Sequence, residues 1–231
     1  YARRLIELND EAASAIHGVE LEGWVRLGLQ EDFGEAVLPD VPGRFARAHP
    51  KVKIEARIAR SHDLAERVLS GSLDIALAWH CGETLPYSQH VADVPMRWIG
   101  PAKRIETSLR NSEPLPLVAL EAPCLLRTVA TETLDRAGLS WRMAFSSPSL
   151  GGIWAAVAAG LGLTIRTDIG LPASVSAMTP EIAGLPALPK MALVLHQKDA
   201  ELDPVAARLA DILLQAALQA LPRDERLKEV A

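Results

Sequence analysis

From residue 24 onward, the hydrophobic and polar positions follow two patterns in turn, and these predict a succession of strands and helices. The segment KVKIEARIA (51–59) alternates with the two-residue period of a strand. The segment LDIALAW (73–79) is almost continuously apolar, which is typical of a strand covered on both faces. WVRLGL (24–29) is a third strand candidate, so the first part of the chain predicts three strands.

Two helices are predicted between these strands. The first covers EAVLPDVPGRFARAHP (35–50) and ends at the final His-Pro, because the residue before proline avoids the helical conformation. For the second, SHDLAERVLSG, we expect Ser61 to be the N-cap and Gly71 to end the helix. Strands and helices together predict a βαβαβ unit.

The same order of elements returns further along, although the sequence does not repeat. After a connecting strand at 94–101, the patterns predict strands and helices at 116–120, 127–138, 141–146, 149–159 and 163–167. A last strand is expected at 190–197, followed by a helix that Asp203 and Pro204 begin. The fold class is therefore α/β, with two Rossmann-like βαβαβ lobes.

The Gly-Leu-Gly at 160–162 resembles part of a dinucleotide-binding fingerprint, but its direction is wrong. That fingerprint lies after a strand and opens a helix. Here an alanine-rich helix pattern precedes the glycines and a short strand pattern follows them. We therefore expect Gly160 and Gly162 to end a helix and turn the chain into a strand.

This order of elements predicts three parts: a helix over 1–22, lobe I over 23–100 plus 191–231, and lobe II over 101–190. In parallel sheets the carboxyl ends of the strands lie at one edge, beside the first turns of the following helices. Two such lobes facing each other would form a cleft suited to a small molecule.

Composition narrows the function classes. The 231 residues are 49% hydrophobic and carry a net charge of −5, without a basic run, so this chain by itself is a poor nucleic-acid binder. The only cysteines, Cys81 and Cys124, argue against a disulfide scaffold and favour a reducing cytoplasm. No signal peptide, membrane span, cofactor motif or metal motif is found.

Spaced motifs over residues 26–78 resemble the effector-binding domain of LysR-type transcriptional regulators. The motifs are Arg-x-Gly at 26–28, Leu-Pro-x5-Phe-x3-His-Pro at 38–50, Val-x-Ile-Glu at 52–55, and Gly-x-Leu-Asp-x-Ala at 71–76. Residues 123–167 are similar to the second half of the same domain. Pro42 and Gly43, inside the predicted first helix, depart from the family pattern.

The resemblance implies a fold like that of type II periplasmic binding proteins, a small-molecule effector, and a homodimer or homotetramer. It also implies a DNA-binding winged helix-turn-helix before Tyr1. In the family the segment matching 1–22 is a linker helix that pairs two subunits. The spacing of such a seam is found at Leu5, Leu8, Ala12, Ile16 and Val19. A helix docked on its own domain explains the same spacing.

For the first lobe, the resemblance places effector contacts at the helix start formed by Asp32 and Phe33, and at Ser61. Asp32 and Ser61 are equally explained as helix N-caps. A carboxylate at the helix amides would disfavour an effector carboxylate there. We therefore expect a neutral or cationic ligand group beside Asp32, or an acidic ligand displaced toward Arg127 or Arg60.

For the second lobe, the candidates are Arg127, Thr128, Ser147 and Ser149. Ser149 is also the natural N-cap of the following helix, which leaves Ser147 freer to contact a ligand. Arg127 could bind an anion with both guanidinium nitrogens or pair with Asp32.

Two other features, Asp74 and the set of His80, Cys81 and Cys124, suggest chemistry at first sight. Asp74 precedes a buried strand without a base or nucleophile at a matching spacing, so we expect it to accept backbone hydrogen bonds. His80, Cys81 and Cys124 follow strand ends and could form a redox or metal sensor, but no CxxC or HxxxH spacing supports this.

The leading hypothesis is therefore a non-enzymatic sensing domain that binds a metabolite between two lobes and changes the geometry of an oligomer. A solute-binding receptor of the periplasmic type is the alternative, because it has the same two-lobed design. An enzyme ranks last, because no G-x-S-x-G, P-loop, zinc motif or carboxylate pair is present in a suitable context.

Overall fold

A computed structural model gives the fold of the chain. It describes residues 21–37, 41–82, 85–102, 114–178 and 184–221. The predicted linker helix lies outside these ranges except for Leu21 and Glu22, which belong to neither a helix nor a strand.

The described residues divide into two compact units. The first extends to Ala92 and resumes over Ala192–Ala220, and the second covers Asp93–Met191. The first boundary between the units falls within the strand Ser88–Pro95, and the second falls within the strand Lys190–Gln197. The lobe limits expected from the sequence stay a prediction.

The first unit contains a sheet with helices before, between and after its strands. Its elements are β1 (Gly23–Gln30), α1 (Glu31–Val37), α2 (Val41–Ala48), β2 (Val52–Ala59), α3 (Ser61–Leu69), β3 (Ile75–Trp79), β4 (Ser88–Pro95), β10 (Lys190–Gln197) and α6 (Pro204–Ala220).

Five strands form this sheet in the order β2-β1-β3-β10-β4. β1 pairs in parallel with β2, from Gly23 opposite Val52 to Gln30 opposite Ala59, and also with β3. β10 runs antiparallel to β3. The βαβαβ succession predicted for the first lobe is confirmed.

Buried apolar side chains hold these elements together. α3 packs on β3 through a cluster that contains Leu64, Val68, Leu73 and Ala76.

At the last helix, the carboxylate of Asp203 accepts hydrogen bonds from the backbone N–H groups of Val205 and Ala206, each at 3.0 Å, which confirms Asp203 as the N-cap of α6.

The second unit repeats this design. Its elements are β5 (Arg97–Pro101), β6 (Leu115–Leu120), α4 (Leu125–Arg136), β7 (Trp141–Ser147), α5 (Leu150–Ala158), β8 (Thr164–Arg166) and β9 (Val175–Ala177).

The second unit places its strands in a similar succession. β6 pairs in parallel with β7 and touches β8 through one parallel bridge, between Leu117 and Leu163. β5 lies between β8 and β9 and is antiparallel to both. The succession β7-β6-β8 therefore corresponds to β2-β1-β3, as the second predicted βαβαβ unit requires.

The Gly-Leu-Gly segment ends α5 and begins β8, as predicted, but its two glycines act differently. Gly160 has a φ of +77°, the left-handed conformation that glycine adopts at little cost. Gly162 does not have a positive φ. A Cβ there would lie 2.4 Å from the carbonyl oxygen of Pro116, so the close approach of two chain segments requires this glycine.

Some sequence predictions for this unit and its neighbour are wrong. The single helix predicted at 35–50 is two helices, and Pro42 lies in the first turn of α2, where proline is tolerated. The connecting strand predicted at 94–101 is two strands, β4 and β5, separated by Met96. β9, a strand of three residues, was not predicted.

Candidate functional site

The candidate residues of the first unit meet at the carboxyl end of β3, around Trp79. The indole Nε1 of Trp79 donates a hydrogen bond to Oδ2 of Asp32 at 3.3 Å. The backbone N–H of Trp79 donates to Oγ of Ser61 at 3.1 Å. One tryptophan therefore brings together two residues that the sequence placed on separate helices.

Asp32 is not the N-cap of α1, contrary to one reading of the sequence. It lies in the first turn of the helix, and its backbone N–H donates to the side-chain oxygen of Gln30 at 2.8 Å. Gln30 therefore satisfies this helix amide, which leaves the Asp32 carboxylate to accept the Trp79 indole. The Asp32 side chain is buried, with 2% of the residue exposed.

Ser61 is not an N-cap either. The N-cap of α3 is Arg60, which makes no side-chain capping hydrogen bond, and Ser61 is the first helical residue. Its hydroxyl oxygen faces β3 instead of the α3 amides. Ser61 thus joins a helix start to a strand end.

Phe33 contributes to the core of the first unit. Its side chain is fully buried, and its ring centroid lies 5.3 Å from that of Trp79 in a tilted arrangement. Contact between a ligand and Phe33 is therefore restricted to the backbone unless the ring moves.

Asp74 is the buried centre of a partly exposed ionic network on the same unit. Its carboxylate accepts the backbone N–H of Arg26 at 2.7 Å, which agrees with the expected backbone hydrogen bonding. It also pairs with the Arg26 guanidinium at 2.8 Å and the Lys198 ammonium at 2.7 Å. Burial alone would raise the pKa of Asp74, but these hydrogen bonds and charges outweigh it and lower the pKa to about 2.

In the second unit, Arg127 and Thr128 lie in the first turn of α4. The N-cap of that helix is Cys124, whose side chain makes no capping hydrogen bond. The Thr128 hydroxyl donates back to the carbonyl oxygen of Cys124 at 3.3 Å and is exposed. Within the ranges that the structure describes, no carboxylate pairs with the half-buried guanidinium of Arg127.

Arg127 lines a small cavity of about 10 Å³, enough for about one water molecule. The cavity lies where β6 and β8 separate beyond their single bridge and where α4 begins. Its other walls are apolar side chains together with Cys124, Thr164 and Arg166. The arrangement offers two arginine side chains, Arg127 and Arg166, beside an apolar surface.

Ser147 and Ser149 lie between the end of β7 and the start of α5. The Ser149 hydroxyl accepts the backbone N–H of Gly152 at 3.2 Å, so Ser149 is the N-cap of α5, as predicted. The prediction that Ser147 is freer is wrong. Its hydroxyl accepts the backbone N–H of Ser149 at 3.2 Å, and the residue is 8% exposed, whereas Ser149 is exposed.

The structure gives the cysteines no partner in a disulfide. Neither Cys81 nor Cys124 forms a disulfide with a described residue, and both are half-buried. In the described part of the chain, no group of three or more His, Cys, Asp or Glu side chains is arranged to hold a metal ion. No helix among the described residues is long and apolar enough to cross a membrane.

The predicted site residues thus form two groups, one in each unit. Asp32 and Ser61 meet at Trp79 in the first unit. In the second unit, the backbone N–H of Glu121, just after β6, donates to the carbonyl oxygen of Ser147 at 3.1 Å, which joins the segments that precede α4 and α5. The hydrogen bonds of Trp79 to both Asp32 and Ser61 were not predicted from the sequence. The position of Trp79 at the end of a buried strand was the only available signal.

Proteins that are similar to this chain in sequence include transcriptional regulators. The model of the LysR substrate binding domain family matches residues 18–218. The HTH-type transcriptional regulator PecT of Dickeya dadantii (strain 3937) is 29% identical over 195 residues, which cover 82% of this chain and 58% of PecT. The chain therefore spans less than two thirds of that relative.

Solved structures show the same fold. HinK, a LysR family transcriptional regulator from Pseudomonas aeruginosa, has a TM-score of 0.64 at 20% identity, with 92% of this chain and 78% of HinK covered. The regulatory domain of Synechocystis PCC6803 CcmR, in complex with 2-PG, has a TM-score of 0.64 at 15% identity, with 84% and 97% covered. The family match spans most of the residues whose geometry is described above, and the chain belongs to the LysR substrate-binding domain family.

Proposed function

We propose that this chain is the ligand-sensing domain of a LysR-type, DNA-binding transcription regulator and that it catalyses no reaction. A small-molecule effector binds in a cleft between lobe I (23–100 with 191–231) and lobe II (101–190). The observation that supports this most directly is the repeated design of the two units. In each unit, polar side chains collect where parallel strands end and helices begin, which is where α/β folds bind ligands.

The proposed effector contacts are divided between the lobes. Lobe I contributes Asp32, the Phe33 backbone and Ser61, and lobe II contributes Arg127, Thr128, Ser147 and Ser149. Arg127 supports a role in charge recognition, because its guanidinium has no carboxylate partner among the described residues. The Asp32 carboxylate in lobe I would instead favour a neutral or cationic group of the effector. We therefore propose that an acidic group of the effector lies toward Arg127 and that a neutral or cationic group lies toward Asp32.

Binding would be transmitted through a homodimer or homotetramer to DNA. We propose that 1–22 is the linker helix that pairs subunits and that DNA is contacted by a winged helix-turn-helix N-terminal to this chain. The protein would then act in the cytoplasm, where its DNA is. The PecT relative is a transcriptional regulator, and the CcmR regulatory domain holds a small molecule. Both findings support this assignment.

A thermal-shift screen of small metabolites, followed by calorimetric titration of each compound that raises Tm, tests the proposal. A ligand present at a hundred times its Kd should stabilise the folded chain by about 2.7 kcal/mol. The variant Arg127→Gln should weaken binding of an acidic ligand by about tenfold or more. Arg136→Gln is the matched control, because Arg136 lies at the far end of the same helix and pairs with Glu132 at the exposed surface.

Equal binding by Arg127→Gln and the parent chain would reject the role of Arg127. If substitutions among the proposed contacts of one lobe, for example Arg127→Gln combined with Thr128→Ala in lobe II, left the Kd unchanged, a ligand held between the two lobes would be rejected.

A further inference from the structure

Gln30 is a buried polar residue that the proposed effector contacts do not include. It is the last residue of β1, the strand between β2 and β3, and 4% of it is exposed. Its register partner on β2 is Ala59, which lies two residues before Ser61. It also contacts Asp32, whose backbone N–H donates to Oε1 of Gln30. Gln30 therefore belongs to the same group of side chains as Asp32, Ser61 and Trp79.

The orientation of the Gln30 carboxamide is fixed by its hydrogen bond to Asp32. A backbone N–H can only donate, so the carboxamide atom that faces it at 2.8 Å must be the oxygen. The NH2 group then lies on the other side of the carboxamide and offers two N–H donors, which have no acceptor among the described residues. A buried donor without an acceptor costs free energy, so an acceptor atom brought by a ligand would bind there favourably.

Ser61 offers a further donor in the same group. The backbone N–H of Trp79 can only donate, so the Ser61 oxygen accepts and the hydroxyl hydrogen remains to be donated. This hydroxyl has no other partner in the part of the chain that the structure describes, and 8% of the residue is exposed. Gln30 and Ser61 therefore both present donors.

Asp32 presents the complementary acceptor. A carboxylate has about four lone-pair sites, so the indole N–H of Trp79 does not use its whole capacity. A ligand group that meets all three side chains must accept from Gln30 and Ser61 and donate to Asp32. An ammonium group only donates, and a carboxylate only accepts and is repelled by Asp32. A hydroxyl or a carboxamide does both.

We propose that Gln30 is a specificity-determining contact and that the effector presents a neutral hydroxyl or carboxamide, and not an ammonium group, to the first unit. The inference rests on the proposed function, which places an effector at Asp32 and Ser61, and it narrows the neutral or cationic group proposed there to a neutral one. Together with the acidic group proposed at Arg127, it describes an acid that carries a hydroxyl or a carboxamide at its other end. Gln30 disfavours an ammonium group because donors would then face donors.

Linear carboxylic acids that differ only in their end group test this preference. At each of several chain lengths, the end group is a carboxamide, a hydroxyl or an ammonium. Binding is followed by NMR through the indole N–H signal of Trp79, which Trp79→Phe identifies among the five tryptophans of the chain. This signal reports on the site because the indole shares Asp32 with the ligand. The carboxamide or hydroxyl acid should bind at least about tenfold more tightly than the ammonium acid of equal length.

Gln30→Glu should reverse this order of affinities. The substitution keeps an oxygen that accepts the Asp32 N–H, but it exchanges the two N–H donors for an acceptor, so the ammonium acid should become the tighter ligand. A purely structural role of Gln30 predicts no reversal, because that contact is retained. Gln89→Glu is the matched control. It makes the same change of charge at an exposed position of β4 in the same unit and should leave the order unchanged.

Asp32→Asn is a second variant that does not add a buried charge. Its side-chain oxygen can still accept the Trp79 indole N–H, which turns the new NH2 group toward the ligand as a donor. The group would then present donors only. A dicarboxylic acid of the same series should therefore bind this variant at least about tenfold more tightly than it binds the parent. The melting temperature of each variant shows whether the chain is folded, and Asp32→Asn decides the test if Gln30→Glu does not fold.

Three results would overturn the inference: an ammonium acid that binds the parent as tightly as its carboxamide and hydroxyl counterparts, an unchanged order in folded Gln30→Glu, or a series in which no acid moves the Trp79 signal. The metabolite screen tests the proposed function separately. A metabolite whose binding depends on Arg127 would leave the sensing function intact even if Gln30 failed every test. An order set by the end group but unaffected by Arg127→Gln would instead reject the placement of the acidic group and retain the role of Gln30.

Discussion

Substitution of Asp74 by asparagine should cost stability in a way that depends on pH. The Asp74 carboxylate is buried and accepts hydrogen bonds from Arg26 and Lys198, which link β1, the start of β3 and the segment after β10. These contacts lower the pKa of Asp74 from 3.8 to about 2. At about 1.4 kcal/mol for each pKa unit, the ionised carboxylate contributes about 2 kcal/mol to folding.

The pH dependence of stability follows from the direction of the Asp74 pKa shift. Because the folded-state pKa lies below the unfolded value of 3.8, this stability is fully present above pH 5 or so and is lost as the pH falls through 3.8 toward 2. Asp74→Asn has no such group. It should therefore be less stable than the parent by about 2 kcal/mol at pH 7, and the difference should shrink toward zero near pH 2.

Urea denaturation of both chains at pH 7, 4 and 2.5 measures this difference. Asp63→Asn is the control, because Asp63 also pairs with an arginine, Arg67, but at the partly exposed surface of α3. It should change stability by less than about 1 kcal/mol at any pH. A difference between parent and Asp74→Asn that stays constant from pH 7 to 2.5, or that is absent at pH 7, would refute the reasoning.

Three further predictions concern single sites. Gly162→Ala should destabilise the chain by about 2 kcal/mol or more, because its Cβ would lie 2.4 Å from the Pro116 carbonyl oxygen. Gly151→Ala is the control and should be neutral or stabilising, because the space around its Cβ in α5 is open. Thermal denaturation compares the two variants, and equal effects would contradict the steric explanation. Asp203→Ala should cost about 1 kcal/mol through two lost N-cap hydrogen bonds, measured by urea denaturation, and Asp203→Asn should retain most of that stability. Burial, with the charge of Arg208, lowers the pKa of His49 below 6.5. The free energy of unfolding of the parent should therefore decline as the pH falls through 6.5, and His49→Gln should lack this part of the decline. Identical pH profiles of stability for the parent and the variant would contradict the prediction.

The sequence predicted the fold well where its signal was local. The continuous apolar run at 73–79 became the buried strand β3, and the alternating segment at 51–59 became β2. Asp203 and Ser149 are the N-caps that their positions indicated, because a cap is a contact between residues two or three apart. For these strands and helix caps, the residues close together in the sequence were sufficient to predict the local structure.

The candidate site was less predictable, because its contacts join distant parts of the chain. Asp32 and Ser61 have the residue types of helix caps, and both were open to that interpretation. Each instead accepts a hydrogen bond from Trp79, which is 47 residues from Asp32 and 18 from Ser61. Helix-capping preference does not include such tertiary partners, so Gln30 took the predicted role of Asp32.

The most direct test of the account is a crystal structure of this chain with the compound that binds it most tightly in the metabolite screen. The account predicts that the ligand touches Asp32 or Ser61 on one side and Arg127 or Thr128 on the other, with any acidic group at Arg127. A ligand bound wholly within one unit, or at a surface away from both groups, would contradict it.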